Sequence, residues 1–510
     1  MRLLRGFPLV LMAIGVATRV APLFDLHGRN LRQFPTEDGY LMLTIARNLA
    51  LGRGMSIADG TIPTNGTQPL MSFLYAAGFW LVGGDKAWGV WLAQVMQISI
   101  ALATAFAAWH FGRRLLAGQP DADGTAALAA ALWFASPLAI GNTQNCLETG
   151  LYTLALLGLA TFLLRLSARP QWTFGSCVGL GALLALAFWV RNDASLLVTA
   201  VCAARMLPAL TRGFAGIWRR GLECFAIGAT AVLGALPWLV YNKLQFGYLR
   251  PISGVAEASA YSPGDNLLHI PIAIAEYALI TLPIPHTLES HPLAILGSVI
   301  VSVLVLCGSV ALAQRLDPAG RRCLAILGLC LATFVAFYSL AFGVGWFIPR
   351  YFSPFAPFLM LISVYWGRQG LVAVDLPPLR FAVAAGLLAL VVGLSARLFI
   401  QGDHHAHFHV VEWVDQNVPD EVWVGAIQTG TLGYFHDRTI NLDGKVNPFA
   451  LEAKLAGRIP EYVVDTPIQF LADWVGIAGW LELPPLHDRF TLRLLDVEEN
   501  LAVLERQPGA

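Results

Sequence analysis

The chain has 510 residues, 56% of them hydrophobic and 13% charged, where a soluble domain carries about 25% charged residues. That balance excludes an ordinary soluble enzyme. The 33 basic and 33 acidic side chains cancel, yet residues 401–510 hold 7 basic and 17 acidic groups, leaving 26 and 16 for the first 400, so the two parts stand at −10 and +10. Zero net charge gives no case for nucleic acid as a partner.

A membrane-spanning helix needs about 20 mostly apolar residues. Such runs occur at roughly 7–24, 88–111, 125–141, 148–166, 173–190, 193–209, 222–241, 293–314, 322–342, 350–367 and 380–399, which predicts about eleven spans. Arg2 and Arg5 precede the first run without a good cleavage site, so it reads as an uncleaved anchor. With the N-terminus in the cytoplasm, the short inner loops hold fifteen Arg, among them Arg113, Arg114, Arg219, Arg220, Arg321 and Arg322, and the longer outer loops hold nine Lys or Arg. The rule that cytoplasmic loops are basic then places the acidic tail outside. Two outer loops are long, 25–87 and 242–292. Their apolar stretches, Pro69 to Val82 and Leu267 to Pro283, read as an interfacial helix and a re-entrant segment; counting either as a span, for up to thirteen, would invert the charge pattern. Residues 1–400 are thus expected to form a helical membrane domain and 401–510 a small extracytoplasmic α/β domain. In that tail a helix over 404–418, strands over 421–427 and 438–442, a helix over 447–456 and late strands over 490–495 and 501–504 follow from apolar periodicity. The seven cysteines lie in or beside apolar runs, with neither disulfide nor metal-knuckle spacing.

Chemistry-bearing residues gather on the expected outer face. Glu37 and Asp38 stand side by side in the first outer loop, where carboxylates near hydrocarbon are costly and often functional; solvation of a long loop explains them equally well. Glu148 opens a span, a place the helix dipole favours for structural reasons too. Arg191 and Asp193 flank Asn192 in a three-residue turn and can pair with each other. Lys243, Arg250 and Ser253 form a fourth group, Arg350 and Tyr351 a fifth; arginine suits bidentate phosphate capture. The run from His404 to His409 invites a metal reading but lacks partners at ligand spacing, so it reads as the start of an interfacial helix. Asn65-Gly66-Thr67 is a glycosylation sequon by pattern alone.

At EDGYLMLTIARNLALGRG and TNGTQPL, at NCLETGLY and at VRNDASLL, with Asn192 where a proline is usual, the chain resembles the GT-C superfamily of integral membrane glycosyltransferases, in particular bacterial mannosyltransferase-like and terminal arabinofuranosyltransferase-like members. The tail piece GAIQTGTLGYFHDRTINLDGKVN is of a kind appended to several such proteins. The resemblance implies a polytopic helical fold in a bacterial plasma membrane and transfer of a sugar from a polyprenyl-phosphate donor to a glycan, lipid or protein. It implies a single inverting displacement, with Glu37, where the family usually has Asp, as base beside Asp38. It further implies that Arg191, Asp193, Lys243, Arg250, Ser253, Arg350 and Tyr351 bind substrate and phosphate, and that Asp38 with Glu148 would hold a divalent cation, Mg or Mn. The inner loops are too short for a nucleotide-sugar domain and no Gly-rich phosphate loop occurs, which agrees with a lipid-borne donor. The alternative class is a lipid or glycolipid transporter or flippase.

Overall fold

The computed structural model describes residues 6–169, 171–211, 213–258, 264, 266–279, 283–284, 286–342, 348–400 and 407–507. Every run expected to span is helical. Among the described residues eight helices are long and apolar enough to cross a membrane, or nine if the pair Ala122–Ala135 and Pro137–Thr143, bent by 63°, is counted as one span. Pro137, which cannot continue a helix hydrogen-bond ladder, sits at that bend, and Ser136 caps the second piece through Ala139 N. The two remaining runs form shorter helices, Phe174–Val190 and Ser195–Met206, joined by the turn Asn192–Ala194. Trp133, Phe134, Tyr152, Leu156, Leu163 and Phe355 fill the main core between helices. Pro292–Arg315 and Pro377–Leu398 bury only 6% and 11% of their apolar windows, the surface expected of helices that face lipid tails.

The first outer loop folds as the helix Glu37–Ala50, a small hairpin of β1 (Ser56–Ile57) and β2 (Ile62–Pro63), and the helix Pro69–Leu81. That last helix, expected at the interface, buries Met71, Tyr75 and Phe79 on one side and exposes Phe73, Trp80 and Leu81 on the other. In the second outer loop Ile252–Ala258 and His269–Ala278 are helical. The candidate re-entrant stretch continues into 280–282, outside the described residues.

The tail is a five-stranded mixed sheet in the order β4-β3-β5-β7-β6, comprising β3 (Trp423–Ala426), β4 (Thr439–Asn441), β5 (Ile468–Asp473), β6 (Phe490–Asp496) and β7 (Leu501–Arg506). β3 is parallel to both β4 and β5, and β7 is antiparallel to β5 and β6. The central strand β5 and the helix Gly430–Phe435 go beyond the sequence expectation; the expected helix of 404–418 is seen as Phe408–Asn417, with 404–406 outside the described residues.

The sheet does not stand apart. Ile45, Ile57 and Ile62 of the first loop share a core with Ile440, Leu442, Leu471 and Leu504 of the tail. Tyr40, Tyr75 and Phe79 share another with Phe408, Val411 and Tyr434. A third, small cluster joins Ile252, Val255 and Ala256 of the second loop to Leu451. With roughly 1.5–3 kcal/mol for each large apolar side chain fully buried, these seams hold both outer loops onto the tail. Ion pairs at the rim, Arg47 and Lys86 with Asp437 and Arg32 with Glu412, add to them.

Candidate active site

Thr36 caps the first-loop helix: its Oγ1 accepts from Gly39 N at 3.3 Å and donates to the Asn145 carbonyl at 3.2 Å. A Cβ on Gly39 would lie 2.1 Å from that same carbonyl oxygen, so only glycine lets the helix sit this close to the loop carrying Glu148. Successive helical residues point about 100° apart, and here the two acids face different partners. Asp38 lines a cavity of about 440 Å³ and binds Arg350, Oδ2 to Nη1 at 2.7 Å. Glu37 does not line it. Its carboxylate meets the start of the tail helix Gly430–Phe435, accepting from Gly430 N and, at Oε2, from Thr431 N at 2.9 Å and Thr431 Oγ1 at 2.6 Å. Glu37, expected as the base, thus places its oxygens on the tail, and Asp38 is the acid of the pair that faces the cavity.

Six of the other expected residues, Glu148, Arg191, Asp193, Arg250, Ser253 and Tyr351, share the cavity with Asp38 and Arg350. Glu148 is 7% exposed; burial pushes its carboxyl pKa up, opposed by Arg191 and Arg350 nearby. Arg191 forms a bidentate ion pair with Asp193, with N to O distances of 2.6 to 2.9 Å, and lies 4.3 Å over the Tyr152 ring. Tyr338, unforeseen from sequence, donates to Asp193 at 2.7 Å and stacks on Tyr351. Arg191 and Asp193 thus neutralise each other and build the floor. Arg250 is exposed and, among the described residues, has no ion-pair partner. Lys243 leaves the expected set: it is exposed, does not line the cavity, and its Nζ caps the end of its own helix at the Gly247 carbonyl, 2.7 Å away.

Three further wall residues were not foreseen. Gln68 accepts at Oε1 from Asn192 N and Nδ2, tying the TNGTQPL turn to the floor. Glu257 of the second loop and Lys445 of the tail meet at 2.7 Å. Asn65, the sequon residue, is fully buried, donating to Asn242 Oδ1 at 2.9 Å and accepting from Ile252 N at 3.1 Å; it knits the two outer loops and leaves no room for a glycan. His407 is likewise buried, beside Asp473 at 3.4 Å; His404 and His405 lie outside the described residues.

Asp38 and Glu148, the pair considered for a cation, each stand near arginine, and among the described residues no group of three or more His, Cys, Asp or Glu is placed to hold a metal. Mg is commonly held by one or two carboxylates with waters and substrate phosphate; no step is assigned to such an ion here.

A second, apolar groove of about 440 Å³ is lined by Leu184, Phe188, Val198, Val232, Ala235 and Leu239 between neighbouring helices. Arg250, Pro251, Asn192 and Ser195 line both it and the polar cavity, so the two meet at the Arg250 guanidinium.

A search of curated proteins finds no sequence match. Residues 398–495 match a family described as a domain of unknown function, DUF8728. Among solved structures, ArnT from Cupriavidus metallidurans bound to undecaprenyl phosphate is similar with a TM-score of 0.63 and 13% identity, over 99% of this chain and 98% of that one. The archaeal oligosaccharyltransferase AglB from Archaeoglobus fulgidus, in complex with an inhibitory peptide and a dolichol-phosphate, is similar with a TM-score of 0.52 and 12% identity, over 99% of this chain and 74% of that one. These likenesses, which run through the membrane helices and the outer loops alike, show that this chain shares the fold of ArnT and AglB.

Proposed function

We propose that the chain is a membrane glycosyltransferase that moves a sugar from a polyprenyl-phosphate carrier to an extracytoplasmic acceptor. The observation that carries this reading is the junction at Arg250: an apolar groove suited to an isoprenoid chain opens at a cation suited to its phosphate, with no ion-pair partner among the described residues, and that cation borders a cavity holding Asp38. The ArnT and AglB structures, with undecaprenyl phosphate and dolichol-phosphate, support a donor of that class. The basic inner loops support a cytoplasmic N-terminus and an outer tail, in a bacterial plasma membrane. A transporter would place binding groups midway along broken helices, whereas this cavity is built from loops and helix ends.

In this reaction Asp38 takes the proton from an acceptor hydroxyl, and the oxygen attacks the anomeric carbon from the face opposite the phosphate. The bond from that carbon to the phosphate oxygen breaks, its electron pair leaving on the phosphate, and the anomeric configuration inverts. Arg250 and Arg350 neutralise the departing charge, the contribution that cations already in place make to a transition state. Arg350 also fixes the Asp38 carboxylate through its 2.7 Å contact, while Glu37 anchors the helix that carries it.

Deleting the gene should cause a polyprenyl-phosphate sugar to accumulate and one surface glycan to lose a residue, both read by mass spectrometry. Arg250→Ala should weaken undecaprenyl phosphate binding by about 10- to 100-fold, one charge-assisted contact of roughly 1.5–3 kcal/mol. Lys243→Ala should leave it unchanged. Unaltered lipid and glycan profiles in the deletion strain would refute the transferase reading.

A further inference from the structure

The tail enters the cavity. Lys445 and Val446 line it together with Glu257 of the second outer loop, and the segment that carries Lys445 is held in place from several directions. Gly444 adopts φ +81°, and a Cβ there would lie 2.8 Å from Leu451 Cα. Gly444 N donates to Asn441 Oδ1 at 3.1 Å and Lys445 N to Asp443 Oδ1 at 2.8 Å. On the other side Gly66 packs so closely on the Lys445 carbonyl that an added Cβ would stand 2.1 Å from its oxygen. Glu257 is equally fixed, because its helix packs Ile252, Val255 and Ala256 on Leu451 of the same tail helix that backs Gly444. The ammonium and the carboxylate are thus set before any ligand arrives, which lowers the ordering cost of binding.

Charge decides what fits there. Lys445 Nζ lies 2.7 Å from Glu257 and 3.9 Å from Asp443, one cation among two carboxylates. Burial works against the ammonium, but Asp443, Glu257 and Asp38 outweigh it and hold its pKa above the ordinary lysine value; the field of Asp38 therefore reaches this wall. A phosphate would bring its charge against two carboxylates already in place, while Arg250 stands elsewhere on the cavity surface. A hydroxyl group both donates and accepts. It can give its proton to Glu257 and take one of the remaining protons of Lys445 without separating the pair.

We propose that Lys445, with Glu257, forms a subsite for the hydroxyl groups of a neutral, polyhydroxylated acceptor, so that the tail contributes a specificity-determining residue to the active site. The proposal rests on the transferase reading and adds the chemical class of the acceptor to it. The test uses the full-length protein in membranes of the deletion strain, with the polyprenyl-phosphate sugar fraction of that strain as donor and its extracted neutral glycans and glycolipids as the titrated acceptor. Lys445→Met and Glu257→Gln should each raise the KM for that extract about tenfold, the loss of about one hydrogen bond to a charged group. They should leave kcat within about twofold and undecaprenyl phosphate affinity unchanged, and Lys445→Arg should recover most of the effect. Unchanged KM in both variants would make the pair a structural bridge only and overturn the proposal, as would an equal fall in undecaprenyl phosphate affinity, which would move Lys445 to the donor. Failure of the parent protein itself to transfer would instead remove the transferase reading, and this subsite with it.

Discussion

Replacing Glu37 with alanine removes a carboxylate that accepts from two backbone N–H groups and one hydroxyl across 393 and 394 residues of sequence. The first N–H groups of a helix have no partner inside it, so Gly430 N and Thr431 N lose their acceptor and turn to water. A hydrogen bond to a charged group is worth roughly 1.5–3 kcal/mol. The three share one half-buried carboxylate, so their sum is discounted to about 2–4 kcal/mol of coupling between first loop and tail. Local opening should become about 30- to 1000-fold more frequent at these amides. Hydrogen exchange at Gly430 and Thr431 reads this directly, with Leu471 in the central strand as an unchanged internal reference. Thr431→Val in the Glu37→Ala background should add little, since its hydroxyl partner is already gone. Unchanged exchange at both amides in Glu37→Ala would refute the assignment of Glu37 as an anchor and return it to consideration as the base.

Asp38→Asn should lower glycan transfer by about 100- to 10,000-fold, the range of a lost general base, while exchange at Gly430 and Thr431 and undecaprenyl phosphate binding stay at parent values. Gly66→Ala should destabilise the loop and tail assembly by at least about 1–3 kcal/mol, the cost of overpacking, because the new methyl lands on the Lys445 carbonyl; a lower thermal midpoint checks it. Burial disfavours the charged form of His407, yet the hydrogen bond and charge of Asp473, with Glu37 adding its field, raise its pKa above the ordinary value. A raised histidine stabilises most below its unfolded pKa of about 6.5. Tail stability should therefore fall as pH rises through the elevated value, and His407→Gln should flatten that pH dependence.

Much of the architecture was legible because apolar length is a one-dimensional signal: each of the eleven expected runs is helical, and apolar strands such as Trp423–Ala426 and Leu501–Arg506 stand where periodicity put them. β5 escaped notice although Ile468, Leu471 and Ala472 are buried in it, because the consecutive apolar residues Phe470, Leu471 and Ala472 break a clean alternation. The polar clusters were legible as a group on one face, but not the direction of each side chain. Glu37 and Asp38 differ by one helical step, and only the docked tail shows which step faces the cavity. Lys243 was indistinguishable from Arg250 by position, since both follow the same span; the turn at Gly247 sends one outward. Gln68 and Lys445 lay inside the quoted motifs and Glu257 in none, but the role of each side chain comes from a partner more than a hundred residues away.

The contact between Glu37 and the tail also sets an order of events during synthesis. Thr36 to Ala50 emerges first, and Gly430 follows 393 residues after Glu37, roughly 20–80 s later at 5–20 residues per second. Through that interval the membrane helices can insert and pack, while the first loop lacks the sheet against which Ile45, Ile57 and Ile62 are buried. The carboxylate that will anchor the helix stays hydrated, and the neighbouring carboxylate has no fixed aim. A chain released before its last hundred residues would thus sit in the bilayer with a loosely held outer loop. Only a chain that already carries the tail can give the first loop its fixed place, so Glu37 and Gly430 depend on each other across that whole interval.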